Sequence, residues 1–351
     1  MEQLHSEDDL IAWIPPRAEG PRARVRNAVG PKRPWRLVAA FAFACAALGG
    51  CAAHESRALR VGMNAEPGYE FAYLAQARNL FAREHVAVEL VQFESMSDSR
   101  RAFERGQLDG YFGTVFEVLQ TRANSDREPR IVRVLDCSQG FDVVLARPEI
   151  ADVAGLRGRT VAVEPGSLNI YLLARALENH GMTLDSLRMV GMDAGDMGAQ
   201  LQRGAVDAVV SYPPASTAIV KTGRAHPIFS SAEIPGEVID VLAFDASVIA
   251  SRRRDVAAFV RGYDGAVAWM AGHPDAACRI MAARERVAPA EFRASLHEGL
   301  ELVSPSRQNA YFTPGGMLTR VVEATSRLLV RTGQISKPIP PADVLAALRE
   351  R

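Results

Sequence analysis

The 351 residues predict an α/β protein of two lobes, each a mostly parallel sheet flanked by helices, with extra helices at the C-terminal end. Three observations carry that expectation. Short strand-like runs alternate with helix-like ones over residues 58–244. The run Arg105-Gly106-Gln107-Leu108-Asp109 recurs as Arg203-Gly204-Ala205-Val206-Asp207, each time after a helix-like stretch and before an apolar strand. The length, with 48% apolar residues, is enough to fill two cores.

The chain opens on an address. Lys32, Arg33 and Arg36 precede an uncharged run over 37–53. A positive stretch, a short apolar stretch and small residues at a cleavage point make a secretory signal. The run is shorter than the roughly 20 residues that span a bilayer as a helix. It ends in Leu48-Gly49-Gly50-Cys51, which resembles a bacterial lipobox. That resemblance implies cleavage before Cys51, acylation of its thiol, and a lipoprotein held at the membrane in the periplasm or on the cell surface. Residues 1–50 are expected to be the signal segment and 51–57 a linker. The first roughly 30 residues lengthen the positive stretch beyond the usual size and read as a start placed too far upstream.

After the linker, residues 58–63 read as a strand. Residues 69–82 read as a helix, with Phe71, Leu74, Ala75, Ala77, Leu80 and Phe81 at helical spacing. Strands at 86–93 and 108–112 frame a polar helix at 97–105, and a helix follows at 115–123. Strands at 131–137 and 142–146 are separated by Ser138-Gln139-Gly140. The theme then repeats. A strand at 160–163 leads to a helix at 167–180 with Ser167 as N-cap. A strand at 187–191, a helix at 197–203 and strands at 208–212 and 240–244 follow. Helices are expected at 252–272, 274–284, 288–298, 316–331 and 341–349. In the repeated run, Gly106 and Gly204 suit the left-handed end of a helix.

Composition excludes several functions. Lys+Arg and Asp+Glu are both 41, so the basic surplus of a nucleic-acid binder is missing. Cys137 and Cys278 lack metal-type spacing and are expected to be buried and unpaired; sequence alone leaves a disulfide between them open. The seven histidines show no metal-ligand spacing, and no P-loop, Gly-x-Ser-x-Gly, His-Glu-x-x-His or Cys-x-x-Cys occurs. Neither a metal, a cofactor nor a catalytic residue is expected, and the chain reads as no enzyme.

Four runs in order carry a family resemblance: Gly62-Met63-Asn64-Ala65-Glu66-Pro67-Gly68-Tyr69-Glu70, Gly106-Gln107-Leu108-Asp109-Gly110, Val163-Glu164-Pro165-Gly166-Ser167, and Asp207-Ala208-Val209-Val210-Ser211-Tyr212-Pro213-Pro214. Over residues 58–335 the chain resembles the nitrate/sulfonate/taurine-type substrate-binding proteins of ABC importers, which include thiamine-pyrimidine binders. The resemblance implies the two-lobed periplasmic binding protein fold of type II. Residues 58–147 plus 240–351 would form lobe 1 and residues 148–239 lobe 2. Two crossovers would hinge the lobes over a solute. A monomer would then present that solute to a permease and ATPase complex. A ligand-sensing receptor subunit, or an enzyme of the thiamine-pyrimidine or menaquinone type, shares the fold. The export signal argues against a cytoplasmic enzyme.

The resemblance puts the loops after the strands in the cleft. Ser167, Leu168 and Asn169 open a helix whose free N–H groups and dipole favour a negative group. Glu66, Tyr69 and Glu70 follow the first strand, Thr114 and Glu117 the third, and Ser138 and Phe141 the fourth. Tyr212 closes a strand of lobe 2, and Glu237 lies near the return crossover. These loops are acidic, with Asp142, Glu164, Asp193, Asp196 and Asp240 besides, and hold almost no Arg or Lys. A buried sulfonate or nitrate usually takes Arg. The expected solute is therefore small and nitrogen-containing, taurine/sulfonate-like or pyrimidine/amine-like, with the amine or heterocycle favoured and any negative end at the helix start.

Overall fold

In the computed structural model, which describes residues 57–346, the alternation resolves into two sheets. The strands are β1 (Leu59–Met63), β2 (Val88–Gln92), β3 (Gly110–Thr114), β4 (Pro129–Ser138), β5 (Val143–Ala146), β6 (Thr160–Val163), β7 (Arg188–Gly191), β8 (Ala208–Ser211), β9 (His226–Ser230), β10 (Ile239–Asp245) and β11 (Leu300–Leu302). The first sheet has the order β11-β4-β10-β3-β1-β2, the second β7-β6-β8-β5-β9.

Both sheets are mixed, for one shared reason. β2-β1-β3 and β7-β6-β8 are parallel, as expected of strands joined through helices. β10 and β5 instead return from the opposite lobe and insert antiparallel, beside β3 and β8 respectively. β5 therefore belongs to the second sheet, and a lobe boundary at 147 is corrected to the crossover between Ser138 and Val143.

The helices are α1 (Glu70–Ala77), α2 (Leu80–Arg83), α3 (Met96–Glu104), α4 (Val115–Asn124), α5 (Leu168–Glu178), α6 (Ala194–Gln202), α7 (Ala215–Lys221), α8 (Ala246–Gly272), α9 (Pro274–Glu285), α10 (Pro289–Glu298), α11 (Gln308–Phe312) and α12 (Met317–Arg331). The single helix expected over 69–82 is two, because Asn79 takes a left-handed conformation at φ 55°. Asn tolerates that region better than most side chains. The long helix begins at Ala246 rather than 252; Asp245 caps it by accepting from the Ser247 N–H, and non-helical dihedrals at Arg252 kink it. β9, α7, β11 and α11 were not anticipated, being short and lacking a clear period. The helix expected at 341–349 is instead a 3₁₀ turn, Pro341–Asp343, followed by a parallel bridge from Leu345 to Ile131; residues 347–351 lie outside the described residues.

Period-two alternation splits the first sheet's side chains between two cores. Tyr111, Val241 and Ala243 face one, while Phe112, Leu242 and Phe244 face the other, against Phe259 and Tyr263 of α8. Cys137 and Cys278 are buried and unpaired.

The repeated pentapeptide occupies matching places in the two lobes. Gly106 and Gly204 have φ of 74° and 70° and end α3 and α6. Asp109 and Asp207 then lead into β3 and β8. The Asp109 carboxylate accepts from the Arg60 N–H at 2.8 Å, and Asp207 accepts from the Thr160 N–H at 2.9 Å. Each Asp also donates its own N–H to the carbonyl of that same residue, at 2.8 Å in both lobes. The same short sequence thus ties the same pair of parallel strands twice.

Candidate functional site

The first sheet's parallel strands and the second's end towards a common gap, the place where open α/β sheets hold ligands. The gap is lined by Glu66, Met96, Thr114, Phe141, Asp142, Glu164, Ser167, Leu168, Asn169, Tyr212 and Asp240. As the lobes stand it has room for no more than about one water molecule.

The topology explains why acids meet there. A returning antiparallel strand starts at the rim where its parallel neighbours end. Asp240, second residue of β10, consequently sits opposite Thr114 and Asp136. Asp142, just before β5, lies at the matching place in the other lobe, where Val143 faces Ser211. Glu66 and Glu164 come from the loops after β1 and β6.

Four direct contacts close the gap. The Glu117 carboxylate completes a capping box on α4, accepting from the Thr114 N–H at 3.0 Å and from the Thr114 hydroxyl. Its other oxygen accepts from the Leu168 N–H, the first of α5 in the opposite lobe, at 2.8 Å. Ser97 donates its N–H to Glu164 at 3.1 Å and its hydroxyl to the Pro165 carbonyl at 3.0 Å. Asn64 reaches the Tyr212 hydroxyl at 3.4 Å. Beside the crossovers, Phe141 stacks on Tyr212 with ring centroids 6.4 Å apart. The crossovers themselves are pinned together by Ser138 and Ser231, whose hydroxyls are 2.6 Å apart, and by the Gly140 N–H donating to Ser231 at 2.7 Å.

The charges at the floor of the gap are uncompensated. No Lys or Arg is among the lining residues. Tyr69 donates its hydroxyl to Asp240. Neither oxygen of Asp136 receives a hydrogen bond from an N–H or hydroxyl group; its neighbour is Asp240, with which it can share a proton. One oxygen each of Glu66 and Glu164, and the side-chain carbonyl of Asn64, are also buried without a donor. Burial, and then the charge of Asp136, raise Glu66 and Asp240 well above the ordinary carboxylate range. Burial pushes Asp136 up to about 7 and Asp142 to about 6. Burial raises Glu117 too, against the hydrogen bonds it accepts. Nearby cations are committed elsewhere. Arg133 bonds Asp264 at 2.6 Å and the carbonyls of Val134 and Val303, and Arg100 pairs with Glu104.

Of the expected site residues, Glu66, Thr114, Phe141, Ser167, Leu168, Asn169 and Tyr212 come together around the gap, with Glu117 clasping it. Tyr69 and Ser138 stand behind it, holding Asp240 and the crossover. Two expectations are corrected. Glu70 turns away and pairs with Arg284 of α9. Glu237 lies in a separate groove between α5 and α12, bonded to Arg175 at 2.7 Å and Tyr171 at 2.8 Å. Asp193 and Asp196 are exposed on lobe 2 and stay outside the gap. The helix start is also not free for a ligand's negative end, since Glu117 and the Ser167 hydroxyl already take the N–H groups of Leu168 and Asn169. Sequence reasoning passed over Asp136 and Met96. Asp136 sits inside a strand, and only its alternation with the apolar Leu135 and Cys137 marked it.

Comparison with known proteins agrees with this fold. Residues 52–284 match the sequence model of the NMT1-like family. The taurine-binding periplasmic protein of Escherichia coli (strain K12) is 28% identical over 190 residues, 54% of this chain and 56% of that protein; the chain thus spans little more than half the length of that relative. The alkanesulfonate-binding protein SsuA from Xanthomonas axonopodis pv. citri, solved with MOPS bound, superposes at a TM-score of 0.72 with 16% identity, covering 84% of this chain and all of that one. The desulfurization enzyme DSZB superposes at 0.61 with 17% identity over 83% of this chain and 97% of its own. The architecture is that of the periplasmic binding proteins, as the order of motifs implied.

Proposed function

We propose that this chain, which belongs to the NMT1-like family, captures a small nitrogen-containing organic solute between its lobes outside the cytoplasm and delivers it to the permease of an ABC importer. The observation that carries the reading is the interlobe gap, built from strand ends of both sheets and clasped by Glu117 against Leu168. Hinge closure around a ligand gives a permease one shape to recognise when loaded and another when empty. The likeness to a taurine-binding and an alkanesulfonate-binding protein supports the same role.

The likeness to DSZB keeps catalysis in view. The lining favours binding: it contains no Cys, His or Lys, and Cys137 points to the Tyr311 hydroxyl at 3.4 Å. Cys51, the proposed acylation site, lies outside the described residues; among those described, no helix is long and apolar enough to cross a membrane.

The test is small-angle scattering of the protein with and without solutes drawn from amines, pyrimidines and sulfonates, alongside thermal denaturation. A binder should compact the particle and raise Tm. A radius of gyration that no compound reduces would refute the reading. Labelling cells with radioactive palmitate should mark the wild type and spare Cys51→Ala.

A further inference from the structure

The chemical class of the solute follows from what the gap lacks, and it rests on the binding role just proposed. Isolated charges are costly to bury, and removing or adding one partner of a buried ionic group changes stability strongly. Four carboxylates line the gap: Glu66, Asp142, Glu164 and Asp240. Asp136 lies beside Asp240 on the neighbouring strand and is fully buried. Its two oxygens, and one each on Glu66 and Glu164, receive no hydrogen bond from an N–H or hydroxyl group, the neighbouring Asp240 carboxyl being the one protein partner of Asp136, although these three residues are at most 3% exposed. Buried acceptors of this kind are rare in native proteins and call for a reason, which a donor from outside would supply.

An anion is disfavoured twice. No guanidinium or ammonium lines the gap to receive it. The helix start of α5, the natural seat of a sulfonate or carboxylate, is filled by the chain's own carboxylate, Glu117. A metal ion is disfavoured as well, because among the described residues no three His, Cys, Asp or Glu side chains converge closely enough to hold one.

We infer that the cleft takes an organic cation, a protonated amine or an amidinium-type group, whose N–H donors enter among Glu66, Asp136 and Asp240, and that it rejects solutes whose only charge is a sulfonate. Gly68 fits that geometry. A Cβ there would come within 2.2 Å of an Asp136 oxygen and 3.0 Å of a Glu66 oxygen, so the glycine keeps both carboxylates where they stand. The planar ring pair of Phe141 and Tyr212 forms the apolar wall beside them, suited to a short hydrocarbon or heterocyclic body.

The full-length protein in detergent at pH 8 is titrated calorimetrically with propylamine, 1,4-diaminobutane and butylguanidine, and in parallel with butanesulfonate, taurine and an uncharged aminopyrimidine. Scattering is recorded on the same samples. Cationic probes should bind and compact the particle, and butanesulfonate should do neither. Asp240→Asn should weaken the cation about tenfold or more, as loss of a charged hydrogen-bond partner does. Glu66→Gln provides the same readout should Asp240→Asn fold poorly. Compaction by butanesulfonate, by taurine with unchanged affinity in Asp240→Asn, or by the uncharged pyrimidine alone would overturn the inference while leaving the binding role intact. Compaction by no probe at all would remove both.

Discussion

Replacing Asp136 by Asn removes one buried charge while keeping the side chain's shape, and its effect should depend on pH in a defined way. In the ligand-free protein the folded Asp136 holds its proton up to about 7, against an ordinary value of 3.8. Within that window the folded chain binds a proton that the unfolded chain has lost. Stability therefore falls as pH rises from about 4 to about 7 and is fully present below the lower value. Each pH unit of such a window is worth about 1.4 kcal/mol, so the Asp136–Asp240 pair, which titrates together, loses on the order of a few kcal/mol across it. Asp136→Asn should match the wild type at pH 4 and exceed it by about that amount at pH 8. The gain can be somewhat larger, because the charge of Asp136 also raises Glu66 and Asp240. Arg133, Asp142 and Tyr69 face the same group and are unchanged in the variant. Urea denaturation followed by circular dichroism at pH 4, 6 and 8 measures the difference. An equal effect at all three values, or a loss at pH 8, would refute the placement of an uncompensated charge at the floor of the gap.

Other expectations follow from the same geometry. Gly68→Ala pushes against Asp136 and Glu66 and should cost about 1–3 kcal/mol of stability by overpacking, with binding of a cationic probe lost; denaturation and calorimetry report the two separately. Glu117→Ala removes a capping box and the bond to Leu168, so Tm should drop by the equivalent of about 1–2 kcal/mol and scattering should show a more open particle. Asp109→Ala should destabilise by about 1–3 kcal/mol through the unpaired Arg60 N–H, and Asp207→Ala by a similar amount through Thr160; unequal costs would argue against equivalent lobes. Cation binding should tighten as pH rises from 5 to 8, because the solute replaces protons on Asp142 and Asp136, whose values are about 6 and about 7; calorimetry in buffers of different ionisation heat counts the protons released.

The candidate site was partly legible in the residue order. Turn residues announce themselves locally: Pro165-Gly166-Ser167 requires a loop and then a capped helix, and the structure has both. Glu66, Thr114 and Tyr212 sit at or just after strand ends, where open α/β sheets hold ligands, and all three line the gap. Glu70, expected after the first strand, and Glu237, expected near the return crossover, do not line it. Their loops reach the rim, but Arg284 and Arg175 draw the side chains elsewhere, and no local signal shows which distant arginine a carboxylate will meet. Asp136 was missed for the converse reason: it lies within a strand, and its importance comes from Asp240 arriving beside it after a hundred residues of the other lobe.

Periodicity and turn chemistry, which act over a few residues, determined by themselves the alternation of strands and helices, the repeated pentapeptide with its two aspartates, and the acidity of the loops. Only the tertiary structure decided the direction of β5 and β10, the meeting of Asp136 with Asp240, and the reach of Glu117 across to Leu168. Those depend on where a chain returns after leaving its lobe, and the energy that fixes the return is collected over whole cores rather than at the residues that finally touch.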